Sequence, residues 1–188
     1  MRVIAGKFRS RQLGSLRGLD IRPTSDRLRE TLFNVLTAGN PDALAGSVWL
    51  DLFAGTGAVG IEALSRGAEK VYFVESSRRA VELIKRNLES MGISNGFEIL
   101  QEEVLREIAK LERQQVRPNF IFLDPPYGSQ NLYGETLERL ANSVSSEHAL
   151  VMVEHDKKFD PGAVFGPLRR IRKLEQGDAG LSFYGRER

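Results

Sequence analysis

Residues 50–64 read LDLFAGTGAVGIEAL, and this stretch is the strongest indication of the fold. An apolar run typical of a strand is followed by a glycine-rich turn and then by an apolar run typical of a helix. The glycines at Gly55, Gly57 and Gly60 follow the spacing G-x-G-x-x-G, and the next strand-like run ends in an acid, Glu75. An acid about 20 residues after such a loop is typical of a βαβ unit that binds a nucleotide. A plain tight turn between strand and helix would also account for the glycines.

The rest of the chain repeats this alternation of strand and helix. Strand-like runs lie at residues 48–53, 70–75, 97–101, 119–123 and 149–154, and helical runs at 59–66, 78–90, 104–114 and 132–143. Strands separated by helices predict right-handed βαβ units and a parallel sheet. After them, Gly177-Asp178 lies between two β-type runs and predicts a closing antiparallel hairpin. The expected fold is therefore α/β, with a parallel sheet that is closed by an antiparallel pair of strands.

Composition excludes several classes of protein. The 188 residues contain no cysteine and two histidines, so disulfides and thiolate metal sites are absent and we expect no metal. No apolar stretch approaches the ~20 residues needed to span a membrane, and residues 1–10, MRVIAGKFRS, lack the long apolar stretch that a secretory signal needs. A cytoplasmic protein is expected, and the absence of dimerisation heptads favours a monomer.

The first thirty residues are strongly basic. They carry eight basic and three acidic side chains, a net charge of +5, whereas the other 158 residues carry −3. Two β-type runs, at 2–5 and 8–13, flank Gly6-Lys7 and predict a hairpin or a pair of short strands, followed by a helix capped by Thr24 or Ser25. We therefore expect a basic hairpin extension over residues 1–20 and the main domain over 21–188. Such a patch is typical of a surface for a polyanion, although a solvated charged arm remains an alternative.

Asp51 and Glu75 favour one type of nucleotide ligand. A carboxylate at Asp51, two residues before the turn, would repel a pyrophosphate but would bind an amino group. S-adenosylmethionine carries both an amino group and a ribose, which Glu75 could bind. The alternatives are that Asp51 caps amides of the turn and that Glu75 is a solvated acid at a helix start.

Residues 121–128 read IFLDPPYG, an apolar strand that stops at Asp124. Because ligands of open α/β sheets bind at the carboxyl ends of the strands, Asp124 and the glycine loop should face one crevice. A carboxylate and a rigid proline carbonyl could each accept an N–H from an exocyclic amine and direct its lone pair toward a methyl donor. Tyr127 offers a ring on which a flat base can stack. A proline-stiffened strand end is the alternative.

Three motifs together resemble one known family. Asp-Pro-Pro-Tyr looks like the amino-methyltransferase signature [DN]-P-P-[YF], and LDLFAGTGAVGIEALSRGA resembles its S-adenosylmethionine loop. RVIAGKFRSRQL followed by RPTSDRLRETLFNVL is similar to the RsmD family, bacterial methyltransferases that modify guanine N2 in 16S ribosomal RNA. The resemblance implies a seven-stranded methyltransferase fold, S-adenosylmethionine as cofactor, and 16S rRNA or a partly assembled small ribosomal subunit as partner.

The resemblance also implies roles for individual residues. The implied catalytic residues are Asp124, Pro125, Pro126 and Tyr127. The implied cofactor-binding residues are Asp51, Phe53, Ala54, Gly55, Thr56, Gly57, Glu75, Ser76 and Glu103. Such enzymes often place an Asp after the third strand to meet the adenine amine. This chain has Glu102 and Glu103 there instead, so either Glu, with Glu103 as the chosen candidate, or a backbone group would take that role. The implied RNA-binding residues are Lys7, Arg9, Arg11 and Arg22.

Two other functions fit the same motifs. A DNA adenine-N6 methyltransferase also uses Asp-Pro-Pro-Tyr, but such enzymes usually need a long target-recognition insertion, which this chain lacks. A non-catalytic RNA-binding or ribosome-assembly protein could retain the fold, but it would not need the acid, the prolines and the aromatic together.

Overall fold

A computed structural model describes residues 1–15, 25–126, 128–143 and 147–186. Within these ranges the chain forms five helices and eight strands. The helices are α1 (Asp26–Leu36), α2 (Ala58–Ser65), α3 (Arg78–Ser90), α4 (Val104–Arg113) and α5 (Gln130–Ala141). The strands are β1 (Val48–Leu52), β2 (Lys70–Val74), β3 (Phe97–Leu100), β4 (Phe120–Leu123), β5 (Leu150–Asp156), β6 (Val164–Phe165), β7 (Leu168–Gln176) and β8 (Ala179–Arg186).

All the strands join one sheet in the order β3-β2-β1-β4-β5-β8-β7-β6. The pairs from β3 to β5 are parallel, and β8 and β7 then add antiparallel to that edge. The α/β class and the seven predicted strands are confirmed. The eighth strand, β6, pairs with β7. Because β6 has only two residues, it is too short to leave a recognisable pattern in the sequence.

The sheet reverses its strand order at β1 and β4, and this point positions the site. β1 lies between β2 and β4, with Asp51 level with Phe73 on one side and Phe122 on the other. The segments that follow β1 and β4 therefore leave the sheet side by side. A crevice opens at such a switch point because successive helices turn to opposite faces of the sheet.

Helices cover both faces, so the central strands are buried. The first face packs against α1, α2 and α3 through a core that includes Trp49, Phe73 and Phe122. The second packs against α4 and α5 through a core that includes Leu52 and Ile121. This arrangement explains why the strand IFL is apolar without alternation.

The helices begin close to their predicted positions because local signals specify them. Ser25 caps α1 by accepting a hydrogen bond from the Leu28 amide at 3.1 Å. Ser77 caps α3 in the same way at Ala80, and α3 has the predicted bounds. Helix α5 starts at Gln130, two residues earlier than predicted, so part of the stretch after Asp-Pro-Pro-Tyr is helical.

The N-terminal residues pair antiparallel, but not as the predicted two-strand hairpin. The bridge joins Arg2 to Gln12, and the chain between them forms a wide turn. The amides of Ile4 and Ala5 donate instead to the Glu62 carboxylate on α2, at 2.7 and 3.0 Å. Backbone donors used in this way cannot pair with a facing strand, which limits the hairpin to a single bridge. The expected boundary at residue 20 falls outside the described residues and stays a prediction.

In the part of the chain that the structure describes, no helix is long and apolar enough to cross a membrane.

Candidate active site

A cavity of about 560 Å³ opens at the carboxyl ends of β1, β2, β4 and β5. A volume of roughly 300–1,000 Å³ is usual for a small-molecule site. The glycine loop after β1 and the segment that begins at Asp124, which were expected to share a crevice, both line this cavity. The sequence-predicted residues in its walls are Asp51, Phe53, Ala54, Gly55, Thr56, Glu75, Ser76, Asp124, Pro125 and Pro126.

Asp51 lies at the bottom of this cavity and is 2 % exposed. Its Oδ2 accepts a hydrogen bond from the Gly60 amide in the first turn of α2 at 2.9 Å. Burial raises the pKa of Asp51 to about 8, the Gly60 amide opposes that rise, and the nearby Glu75 adds to it. The carboxyl group therefore has a structural partner, as the capping alternative expected, and is poised to ionise when a cation binds beside it.

The glycine loop between β1 and α2 has an unusual backbone. Phe53, Gly55 and Gly57 have φ angles of 60°, 54° and 75°. The left-handed region is open to glycine but costs a bulky residue such as Phe53 free energy, and such strain concentrates at ligand sites. Gly57 is the N-cap of α2, and no side chain caps the helix there. Ala58 and Val59, the first two residues of the helix, line the cavity. A helix N-terminus of this kind favours a negatively charged group.

The three glycines have different physical roles. Gly55 lines the cavity, as expected for close approach of a ligand. A Cβ at Gly57 would lie 3.2 Å from Ile84, and a Cβ at Gly60 would lie 2.3 Å from the Phe73 ring. Gly57 and Gly60 therefore allow α2 to pack closely on α3 and β2, and Gly57 is not among the residues that line the cavity.

Glu75 connects the glycine loop to the start of α3. Its Oε2 accepts a hydrogen bond from the Gly55 amide at 2.8 Å, and its Oε1 accepts one from the Ser77 amide at 2.7 Å. Glu75 is half-buried in the cavity wall. This position differs from the alternative expectation, in which Glu75 was a solvated acid at the start of a helix. A ribose beside it would find a carboxylate already fixed in orientation.

The segment after β4 forms the opposite wall. Asp124 is half-buried, Pro125 is buried and Pro126 is exposed. The Pro126 carbonyl accepts a hydrogen bond from the Ser129 amide at 3.1 Å, which closes the turn into α5. Among the described residues no backbone amide is bonded to the Pro125 carbonyl, so this oxygen is the better candidate acceptor for a ligand amine. Tyr127 lies outside the described residues, and its stacking role stays a prediction.

The end of β5 and the start of α5 complete the cavity with residues that the sequence reasoning missed. Glu154, Asp156 and Phe159 come from the β5 side, and Tyr133 comes from α5. The rings of Tyr133 and Phe159 lie 5.0 Å apart between centroids. The signal was available: Glu154 ends the predicted strand-like run at 149–154, and its strand pairs parallel to β4, so Glu154 lies next to Asp124 where that parallel pairing ends.

His155 is held by the protein. Its Nδ1 lies 2.9 Å from the Asp156 carbonyl, and its Nε2 lies 3.0 Å from Ser182 Oγ. A carbonyl can only accept, so Nδ1 carries the proton and Nε2 accepts from the Ser182 hydroxyl. Burial lowers the pKa of His155, which favours this neutral form.

Some predicted site residues lie away from the cavity. Glu103 is exposed at the N-cap position of α4 and is not among the residues that line the cavity, so its adenine role has no geometric support and stays a prediction. Lys7 and Arg9 are exposed in the wide N-terminal turn. The exposed Arg11 donates from Nη1 to the Met91 carbonyl beyond α3, at 2.9 Å. Arg22 lies outside the described residues.

The N-terminal segment is also less cationic at its surface than its composition suggests. Arg29 is fully buried, donates to the Arg2 carbonyl at 2.7 Å, and pairs with Asp26 and Glu62. Its charge is used inside the protein and is unavailable to a polyanion. Within the described ranges, no group of three or more acidic or histidine side chains could hold a metal ion.

The protein has the Rossmann-like methyltransferase fold. This class is defined by a parallel sheet with an antiparallel closing pair, a glycine loop after β1, and the Asp124-Pro125-Pro126 segment after β4. A solved Escherichia coli structure described as a methyltransferase, yhhF, superposes with a TM-score of 0.83 at 28% identity, covering 100% of this chain and 98% of that one.

The family follows from two further findings. The family model described as Conserved hypothetical protein 95 matches residues 1–185, and the chain belongs to this family, the RsmD family. Ribosomal RNA small subunit methyltransferase D of Escherichia coli K12 is 35% identical over 188 residues, which are 100% of this chain and 90% of that protein. The Haemophilus influenzae protein of the same name is 38% identical over 162 residues, 84% of this chain and 79% of that protein. The recognition made from the sequence is confirmed.

Proposed function

We propose that this protein transfers a methyl group from S-adenosylmethionine to the exocyclic N2 amine of a guanine in small-subunit ribosomal RNA. One observation carries the proposal: a single cavity at the switch point is lined both by the glycine loop and by Asp124-Pro125-Pro126. The names of the RsmD relatives support an rRNA methyltransferase. They do not favour a DNA methyltransferase or a non-catalytic protein.

The residues around the glycine loop fit S-adenosylmethionine. The cofactor supplies an electrophilic methyl group on a positively charged sulfur. Asp51 at the cavity bottom offers a carboxyl group to the amino group of the methionine moiety. The N-terminus of α2 favours its carboxylate. Glu75, fixed by two backbone amides, accepts hydrogen bonds from the ribose hydroxyls.

Asp124 and the Pro125 carbonyl hold the substrate amine. The lone pair of an amine on an aromatic base is delocalised into the ring, which makes it a poor nucleophile. When Asp124 accepts one N–H and the carbonyl accepts the other, the lone pair turns toward the methyl donor. With S-adenosylmethionine bound, the amine nitrogen would gain the methyl group, sulfur would keep the electron pair of the broken carbon–sulfur bond, and one amine proton would leave to water. Catalysis is mainly positioning and electrostatics.

RNA binding extends beyond the cavity to the N-terminal residues. Lys7 and Arg9 are exposed on the wide turn, where they can contact phosphates. The partner is 16S rRNA, free or within a partly assembled small subunit, and the enzyme acts as a cytoplasmic monomer.

The proposal is tested by tritium transfer from labelled S-adenosylmethionine to small-subunit RNA, partly assembled small subunits, large-subunit RNA and DNA in parallel. We expect label in small-subunit RNA, in its naked or assembled form, located on N2-methylguanine after digestion. Label only in DNA, or in no acceptor while the protein binds S-adenosylmethionine, would contradict the proposal.

A further inference from the structure

Glu154 lies beside Asp124 at the edge of the cavity. Leu123 of β4 pairs with Val153 of β5, so the residues that follow them, Asp124 and Glu154, occupy neighbouring positions where the parallel pairing of the two strands ends. Adjacent strands run roughly 4.8 Å apart, so these two carboxylates can reach neighbouring groups of one flat ligand. Glu154 is 7 % exposed and lines the cavity.

An aromatic wall faces the two carboxylates. Tyr133 and Phe159 both line the cavity, with ring centroids 5.0 Å apart at an interplanar angle of 50°. The pKa of Tyr133 is raised by burial first, and then by the negative charges of Asp124, Glu154 and Asp156. These carboxylates are therefore close enough to act electrostatically on the Tyr133 hydroxyl. This region suits a flat, partly apolar ring with hydrogen-bond donors along one edge.

We infer that Glu154 is a specificity-determining residue that accepts the N1–H of the target guanine while Asp124 accepts an N–H of its 2-amine. This inference rests on the proposed function. Among the four RNA bases, guanine alone carries a ring N–H next to an exocyclic amine on its pairing edge. Adenine and cytosine carry an acceptor nitrogen beside their amine, which a carboxylate repels. A site whose acceptors meet the donors of one ligand disfavours a ligand that presents an acceptor at the same position, because two acceptors repel each other.

The test compares guanine with 2-aminopurine, which keeps the 2-amine but has an acceptor nitrogen in place of N1–H. Small-subunit RNA is ligated from fragments so that the nucleotide methylated by the wild-type enzyme carries either base. It is supplied naked or partly assembled, whichever form the wild type methylates. Single-turnover rates are measured for the wild type, for Glu154→Gln, and for a matched control, Glu138→Gln, at an exposed glutamate of α5.

We expect the wild type and Glu138→Gln to prefer guanine by roughly ten- to a hundredfold, as for a paired hydrogen-bond contact to a base. Glutamine keeps an acceptor oxygen and adds an N–H that can meet the acceptor nitrogen of 2-aminopurine, so Glu154→Gln should reduce the preference to a few-fold. The two bases also differ at O6, but that difference is the same for every variant. S-adenosylmethionine affinity and melting temperature verify that the variant is folded.

Each outcome distinguishes the inference from the proposed function. An unchanged base preference in folded Glu154→Gln, or a wild type that uses both bases equally, would overturn the role of Glu154 and leave the proposed function standing. If Glu154→Gln does not fold, Glu154→Asp is used. It retains the charge but withdraws the oxygen, so the rate with guanine should fall more than the rate with 2-aminopurine. Equal falls would overturn the inference. No transfer by the wild type to any RNA would overturn the proposed function, and the inference with it.

Discussion

Asp51 provides a prediction in which stability, proton binding and cofactor affinity are linked. Asp51→Asn keeps an oxygen that can accept from the Gly60 amide and removes the titratable group. The pKa of Asp51 is raised from 3.8 to about 8, chiefly by burial. The folded protein therefore keeps a proton that the unfolded chain has released, and the free energy of unfolding falls as the pH rises between these values.

The size of this effect follows from the proton difference. One proton bound by the folded state alone lowers stability by about 1.4 kcal/mol per pH unit, or about 3 kcal/mol between pH 5 and pH 7. Urea unfolding of the wild type and Asp51→Asn at both pH values gives the difference between the two proteins, which cancels the contributions of other groups such as His155. The advantage of Asp51→Asn should grow by about that amount toward pH 7. A constant difference would refute the reasoning about burial.

Binding of S-adenosylmethionine tests the ligand role of the same group. Near pH 6.5 the amino group of the ligand is charged, since α-amino groups have pKa values of about 7.7–8.0. An ion pair with Asp51 then requires the carboxyl group to release close to one proton. Calorimetry in buffers of different ionisation enthalpy measures that proton release. Asp42→Asn, at an exposed aspartate, is the control and should release the same proton as the wild type. Asp51→Asn should release none and bind about ten- to a hundredfold more weakly. Equal affinity and no release by the wild type would mean that Asp51 only caps α2.

Three further predictions follow. Glu75→Ala should weaken S-adenosylmethionine binding about ten- to a hundredfold in a folded protein, through loss of charge-assisted hydrogen bonds, and unchanged calorimetric affinity would contradict it. Replacing Lys7, Arg9 and Arg11 with Ala should reduce the log–log salt slope of RNA binding by about 0.7–0.9 for each lost phosphate contact, with cofactor affinity unchanged. An equal slope would make the turn a solvated surface. Gly60→Ala should cost about 1–3 kcal/mol in urea unfolding, because its Cβ would lie 2.3 Å from a phenylalanine ring, and wild-type stability would refute that packing role.

The sequence predicted the parts of the fold that local signals specify. Helix α3 has its predicted bounds because Ser77 caps it and Gly92 lies beyond its end with a φ of 69°. The β7–β8 hairpin follows from Gly177-Asp178, which leaves Gln176 paired with Ala179 across a two-residue turn.

The N-terminal segment could not be predicted in this way. Its amides at Ile4 and Ala5 bond to Glu62, nearly sixty residues away, and no local pattern reports such a partner. Tertiary contacts also removed Arg29 from the basic surface by pairing it inside the protein.

The candidate site was also predictable only in part. Motif spacing was sufficient to predict that Asp51, Glu75 and Asp124 line one cavity, because the carboxyl ends of parallel strands lie at the same edge of the sheet. The contributions of Tyr133 and Glu154 depend on how α5 and β5 pack around that edge. The raised pKa of Asp51 depends on burial, which spacing does not reveal.

Single-turnover methyl transfer to small-subunit RNA under saturating S-adenosylmethionine measures whether Asp124 holds the amine that receives the methyl group. Asp124→Asn keeps the shape and one acceptor oxygen, so it should retain partial activity, whereas Asp124→Ala should retain almost none. Both should bind S-adenosylmethionine nearly as well as the wild type, because the proposed function gives Asp124 a contact with the substrate base and none with the cofactor. Near-normal transfer by Asp124→Ala would show that the segment after β4 is only a stiffened strand end and that the chemistry occurs elsewhere.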